Sequence, residues 1–164
     1  MKMSQGVEWA IHCCALLASL PAEVTMRLEK IAEFYDLPLP YLRKQFQALS
    51  RAGIVTTTTG PQGGYRLAKT AAETNLLQIY IAIEGDDPCF KCNEIRQQGP
   101  TAAFQKDYAR PCGIARIMWN AERAWRRELE KATLAELVSD AAKEIDPAKQ
   151  AASAKWIAAC LAER

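Results

Sequence analysis

Histidine is nearly absent from this chain: His12 is the only one among 164 residues. That scarcity excludes a metal or catalytic centre built from several imidazoles of one chain. Long apolar runs are missing too. No stretch approaches the roughly 18 residues at which a membrane-spanning helix is read, and no signal-peptide apolar core stands near the start. The expectation is a soluble, cytoplasmic protein with no membrane partner. The net charge of +2 is too small to demand a polyanionic partner. No internal repeat or low-complexity segment interrupts the chain. The informative absence is local: from Leu37 to Thr70 there is no Asp or Glu, against five Lys or Arg residues.

That acid-free stretch, LPLPYLRKQFQALSRAGIVTTTTGPQGGYRLAK, reads as one device. Leu42, Phe46 and Leu49 recur at helical spacing, and Pro40 suits a first helical position, where a missing N–H costs nothing. Arg43, Lys44, Gln45 and Gln47 fall off the apolar stripe, so a polar face is expected to point outward. Gly53 stops the helix, and Ile54 to Thr59 is β-branched enough for a strand. Gly60, Pro61, Gln62, Gly63 and Gly64 make a turn before Tyr65, Arg66 and Leu67 return as a second strand. A basic helix followed by a slim ribbon is what a winged helix-turn-helix needs: the helix enters the major groove and the turn approaches phosphates or the minor groove. The plainer alternative is an ordinary helix and hairpin with a solvated charged face.

The elements around it fit that architecture. Ser4 is expected to cap a first helix reaching about Ser19, with Val7, Ala10, Ile11, Cys14 and Leu17 buried and Glu8 and His12 one turn apart. Thr25 is expected to cap a second helix with Leu28, Ile31, Ala32 and Tyr35 on one face, linked tightly to the third as helix-turn-helix geometry requires. Thr74 is expected to cap a fourth helix ending at Gly85. Cys112 opens a long helix to about Lys131, whose stripe of Ile114, Ile117, Met118, Ala121, Trp125 and Leu129 suits pairing with a second copy. Thr133 and Glu136 form a capping box for a short helix, and Asp146 with Pro147 starts a last one, expected to pack on the long helix or fray. The fold class is mainly α with a small β-wing. Its expected division is a winged helix-turn-helix head over 1–85, a Cys-containing loop over 86–112, a dimerisation helix with a short following helix over 113–142, and a helical extension over 143–164.

Six cysteines in a cytoplasmic chain argue for metal or redox chemistry over structural disulfides. Cys13 and Cys14 are adjacent on a helix and read as buried small hydrophobes. Cys89 and Cys92 stand in C-x2-C spacing at the start of an aperiodic segment that ends at Cys112, a helix N-terminus that favours a thiolate. A segment longer than about 15 residues without a period is usually functional or disordered. A small oxidoreductase using the C-x2-C pair is disfavoured, since no βαβ setting, general base or cofactor loop accompanies it; no enzymatic activity is expected.

Five pieces, PLPYLRKQFQALSRAGIV, GPQGGYRL, CNEIRQQGP, RPCGIARIMWNAERAW and TLAEL, together resemble the winged-helix bacterial regulators of the Rrf-two family, from Met1 to about Val138. The resemblance implies a homodimer with crossing long helices, reading a pseudo-palindromic double-stranded DNA operator, most simply as a repressor. It assigns DNA contact to Lys2, Tyr41, Arg43, Lys44 and Gln45 and to the wing residues Thr59, Gly60, Pro61, Gly63 and Gly64. Thr59 stands where several relatives place an Arg that reads minor-groove width, so the operator preference is expected to shift there. The IscR-like pattern of three close Cys is absent. The chain is more similar to the RsrR-like subgroup, which implies a redox-responsive [2Fe-2S] cluster on Cys92 and Cys112 with Glu8, while Tyr35 fills the position read as that subgroup's His. Three readings stay open: Cys89 completes a set with Cys92, Cys112 and Glu8; the cluster is lost and Cys89 and Cys92 form a dithiol switch that closes to a disulfide on oxidation; or the three thiols are inert.

Overall fold

The computed structural model describes residues 3–60, 63–100, 102 and 108–162. Lys2 and Pro61 therefore lie outside the described residues. The described part is mainly helical with one two-stranded antiparallel sheet: α1 (Gln5–Ala18), α2 (Leu28–Tyr35), α3 (Leu39–Arg51), β1 (Val55–Thr58), β2 (Gly64–Leu67), α4 (Leu76–Glu84), a 3-10 turn at Ile95–Gln97, α5 (Gly113–Lys131), α6 (Leu134–Glu144) and α7 (Pro147–Ala162). None of the described helices is long and apolar enough to cross a membrane.

The head forms because the apolar stripes of α1, α2 and α3 meet. Ala10, Cys13, Ile31, Leu42, Phe46 and Leu49 are fully buried, joined by Met26, Val55 and Ile79. Asp36 takes a left-handed conformation (φ 51°) and closes the turn between α2 and α3, a conformation Asp tolerates better than most residues. At the end of α3, Gly53 (φ 68°) completes a paired cap: Ile54 N–H donates to the Leu49 carbonyl at 2.9 Å and Gly53 N–H to that of Ser50 at 3.0 Å. The strands then pair Val55 with Leu67 through Thr58 with Gly64. Met26 adds an isolated bridge to Tyr65, with bonds of 2.9 and 2.8 Å in the two directions. That bridge corrects the expected cap of α2. Thr25 is buried beside the sheet, and the N-cap position belongs to Arg27.

Two capping boxes lie side by side and join the head to the C-terminal half. Asn75 accepts from Gln78 N–H at 2.9 Å at the start of α4, one residue beyond the expected Thr74, which is buried instead. Thr133 and Glu136 form the expected box at the start of α6. Leu134 N–H donates to the Thr74 carbonyl and Leu76 N–H to that of Ala132, both at 2.9 Å. Leu134 is fully buried in the head's core, so α6 is docked there at its N-terminus although the sequence grouped it with α5. Asp146 caps α7 through its Oδ1, which accepts from Ala148 N–H at 2.8 Å. α7 carries no buried residue, and its Trp156 sits edge-on to Phe34 of α2 at 5.1 Å. A T-shaped aromatic pair is worth about 0.5–1.5 kcal/mol beyond its area.

Candidate functional site

Two surfaces carry the residues that the sequence singles out. The first is the outer face of α3 with the wing. Tyr41 is 42% exposed at its first turn. Trp9 of α1 backs it, ring centroids 5.1 Å apart and nearly perpendicular, so the tyrosine ring is held away from the core. Arg43 and Lys44 are exposed, and Arg43 lies 3.8 Å from the Glu29 carboxylate of α2. Gln45 departs from the expectation of an outward polar face. It is 8% exposed and packs against α1, where a Cβ on Gly6 would meet its Nε2 at 2.7 Å. The close approach that Gly6 permits draws Gln45 inward, and so it does not share a free surface with Tyr41 and Arg43.

In the wing, Thr59 and Gly60 are exposed at the tip. Gly63 donates its N–H to the Gly60 carbonyl at 2.9 Å. Gly64 has a second reason to be glycine besides access to a ligand: a Cβ there would lie 2.6 Å from the Met26 carbonyl carbon, where β2 presses on the segment before α2.

The second surface is the segment from Asp86 to Cys112, which has no buried residue among those described. Its start is bolted to α5. Glu122, 9% exposed, accepts the Cys89 N–H at 3.2 Å and the Arg126 guanidinium at 3.1 Å; Arg126 also pairs with Asp86. Those carboxylates raise the Arg126 pKa, the Asp86 hydrogen bond foremost. The Cys89 sulfur lies 3.8 Å from the Tyr80 hydroxyl. Burial, then that sulfur contact, pushes the Tyr80 phenol up to about 12. Trp125, expected in the stripe of α5 that pairs with a second copy, packs edge-on to Tyr80 at 4.9 Å. Ile114, Ile117 and Met118 of that stripe stand 66%, 69% and 42% exposed.

Cys92 and Cys112 belong to one lining. Both line one open cavity of about 460 Å³ with Phe90, Glu94, Tyr108 and Trp119. Cys89 does not line it, being turned to Tyr80. Glu8 shares a separate surface pocket with His12. Tyr35 is half-buried and donates its hydroxyl to the His12 carbonyl at 3.1 Å; burial, with a contribution from Cys13, raises its pKa to about 12. Among the described residues no group of three or more His, Cys, Asp or Glu side chains is gathered to hold a metal. The set Cys89, Cys92, Cys112 and Glu8 is thus not assembled within one chain. Cys13 and Cys14 are fully buried, and desolvation pushes the Cys13 thiol up to about 12 and Cys14 higher, as inert core thiols require.

The family model for Rrf2, an iron-dependent transcriptional regulator, matches residues 3–140. The chain belongs to the Rrf2 family. It is a transcriptional regulator with a DNA-binding fold, and the family is one of regulators rather than enzymes. Protein rrf2 of Nitratidesulfovibrio vulgaris is 28% identical over 142 residues, 86% of this chain and 89% of that one. The HTH-type transcriptional regulator IscR of Cereibacter sphaeroides is 37% identical over 86 residues, 51% of this chain and 56% of that one. In structure, CymR, the global cysteine regulator of B. subtilis, superposes with a TM-score of 0.67 at 24% identity, covering 85% of this chain and 97% of that one. IscR of T. potens does so with a TM-score of 0.67 at 23% identity, over 89% and 93%. Within the Rrf2 match, the motif CNEIR spans Cys92 to Arg96, and α7 lies wholly beyond residue 140. Sequence reasoning drew only the cysteine from that motif and missed Arg96, Trp9 and Glu122; the Glu and Arg two apart in CNEIR were the available signal.

Proposed function

We propose that this regulator acts as a homodimer on a pseudo-palindromic operator, reading bases with Tyr41, Arg43 and Lys44 and phosphates with the wing. We further propose that a redox-sensitive site at Cys92 and Cys112 sets its affinity, in the manner of the RsrR-like subgroup. The observation that carries the second statement is the shared cavity of Cys92 and Cys112, with Cys89 turned away. The exposed stripe Ile114, Ile117 and Met118 supports pairing of two α5 helices.

The donors fit a [2Fe-2S] group in two halves. Cys92 and Cys112 would supply two thiolates, while Glu8 and His12, one turn apart on α1, would supply a carboxylate and an imidazole. Four donors are reached only if the halves come from two protomers. His12 replaces Tyr35 in this set, because the Tyr35 hydroxyl is engaged by the His12 carbonyl. Such a group would supply one-electron redox chemistry, at a potential raised by its harder ligands. The chain's own part is mechanical. Cys112 is the N-cap of α5, and Glu122 and Arg126 fasten the loop's other end to the same helix. A change in the Cys92–Cys112 separation therefore bears on α5 and on the spacing of the two heads, whose half-sites stand about one helical turn, 34 Å, apart.

Anaerobic purification with a visible spectrum and iron and sulfide analysis tests this reading. Iron and sulfide are expected, lost in Cys92→Ala, Cys112→Ala and His12→Ala and kept in Cys89→Ala and Tyr35→Phe. Colourless, iron-free protein would leave a second reading, a dithiol switch on Cys92 and Cys112 in place of the expected Cys89 and Cys92, which the same shared cavity favours. Retardation of a palindromic fragment, weakening steeply with salt, tests the DNA reading.

A further inference from the structure

We infer that Arg96 is a positioning residue that holds the two arms of the sensor segment together and thereby keeps Cys92 and Cys112 on one cavity; this rests on the reading of that cavity as the sensor site. About twenty residues separate the two thiols. None of the described residues between them is buried, so no buried core among them fixes their separation. A flexible loop of that length loses conformational entropy when its ends are brought together, and something specific must offset it.

Among the described residues, Arg96 reaches across between the arms with both its side chain and its carbonyl. Arg96 pairs with Glu94 through two nitrogens, one at 2.7 Å, and the same fork donates to the Arg110 carbonyl at 3.3 Å. Its guanidinium lies 5.1 Å from the centroid of the Tyr108 ring, and the Tyr108 hydroxyl donates back to the Arg96 carbonyl at 2.6 Å. Glu94 stands two residues after Cys92, and Arg110 two before Cys112. Glu94 also holds a left-handed backbone (φ 47°), which a non-glycine residue keeps only when its surroundings fix it. A planar fork that bonds a carboxylate with two nitrogens while covering an aromatic ring is guanidinium chemistry that an ammonium does not reproduce. Because the pair is partly exposed, its part in global stability is small. Its effect is on where the thiols sit.

The test uses full-length, iron-free, reduced protein carrying Cys89→Ser, with dibromobimane, which becomes fluorescent when it alkylates two neighbouring thiols. The product is mapped by mass to the Cys92 and Cys112 peptides. Bridging is expected in this protein, slowed by about tenfold or more in Arg96→Gln through the lost effective concentration. Arg96→Lys should not rescue it, Tyr108→Phe should slow it less, and the thermal midpoint should be unchanged throughout. Bridging of Arg96→Gln at the parent rate overturns the clamp and leaves the pairing of the thiols intact. Absence of bridging in the parent overturns the pairing itself, and the clamp with it. Slower bridging matched by a general loss of stability overturns the positioning role in favour of a structural one.

Discussion

Between the winged head and the segment that joins it to α5, the forces that hold the chain change. In the head, buried apolar side chains from α1 to α4 and from α6 close on one another, and Phe46, Leu42 and Ile31 have no exposed surface. From Asp86 to Cys112 nothing described is buried, and order rests on polar contacts: Glu122 and Arg126 at one end, Arg96 and Tyr108 at the other. Apolar burial in a close-packed core is cooperative, whereas single hydrogen bonds and exposed ion pairs contribute little each and open locally. The head is thus held by a shared core, and the described part of the segment beside it by a few exposed polar contacts.

The largest effect should come from breaking the core-held side of this comparison. Phe46→Ala removes a fully buried ring and is expected to cost about 3–5 kcal/mol, seen as a lowered midpoint in denaturant. Ile117→Glu, on the exposed stripe of α5, should leave that midpoint nearly unchanged. It should instead yield a monomer by sedimentation and weaken binding to a palindrome by about a hundredfold or more, the avidity lost with one head. Glu122→Ala leaves the Cys89 N–H and one side of Arg126 without their acceptor, at a cost of about 1–3 kcal/mol. Faster amide exchange confined to residues near Cys89, with the head unaffected, would mark this as local release; exchange rising equally in α3 would erase the contrast between the regions.

The smallest effect concerns the joint between them. The Thr133 N–H, then its hydroxyl, hold the Glu136 carboxylate below the ordinary glutamate range. Its folded pKa is depressed, so the box contributes above the unfolded value and is lost as pH falls through the folded one. A small difference in thermal midpoint between the parent and Glu136→Gln is therefore expected at neutral pH, closing in acid.

Much of the head was legible because its signals are local. The glycine that ends α3, the capping box at Thr133 and Glu136 and the Asp146–Pro147 start of α7 each involve residues within one turn of each other. The expectations that moved involve partners far away in the chain. Thr25 gave up its capping role because Met26 bridges to Tyr65, and Gln45 turned inward because Gly6 lets α1 approach α3. Trp125 left the expected pairing stripe to pack on Tyr80.

The same division applies to the candidate sites. The chain's own sequence determined that there is a basic, acid-free reading stretch, a long helix beginning just after Cys112, and one histidine a turn from Glu8, since composition and short spacing need no partner to be read. Only the tertiary structure decided which cysteines line one cavity. C-x2-C spacing put Cys89 with Cys92, but an acceptor on Glu122 and a hydroxyl on Tyr80 turn Cys89 aside, while Arg96 reaches the Arg110 carbonyl across the loop. Proximity between residues separated by a long loop is set by what they pack and bond to, and sequence spacing carries no record of that.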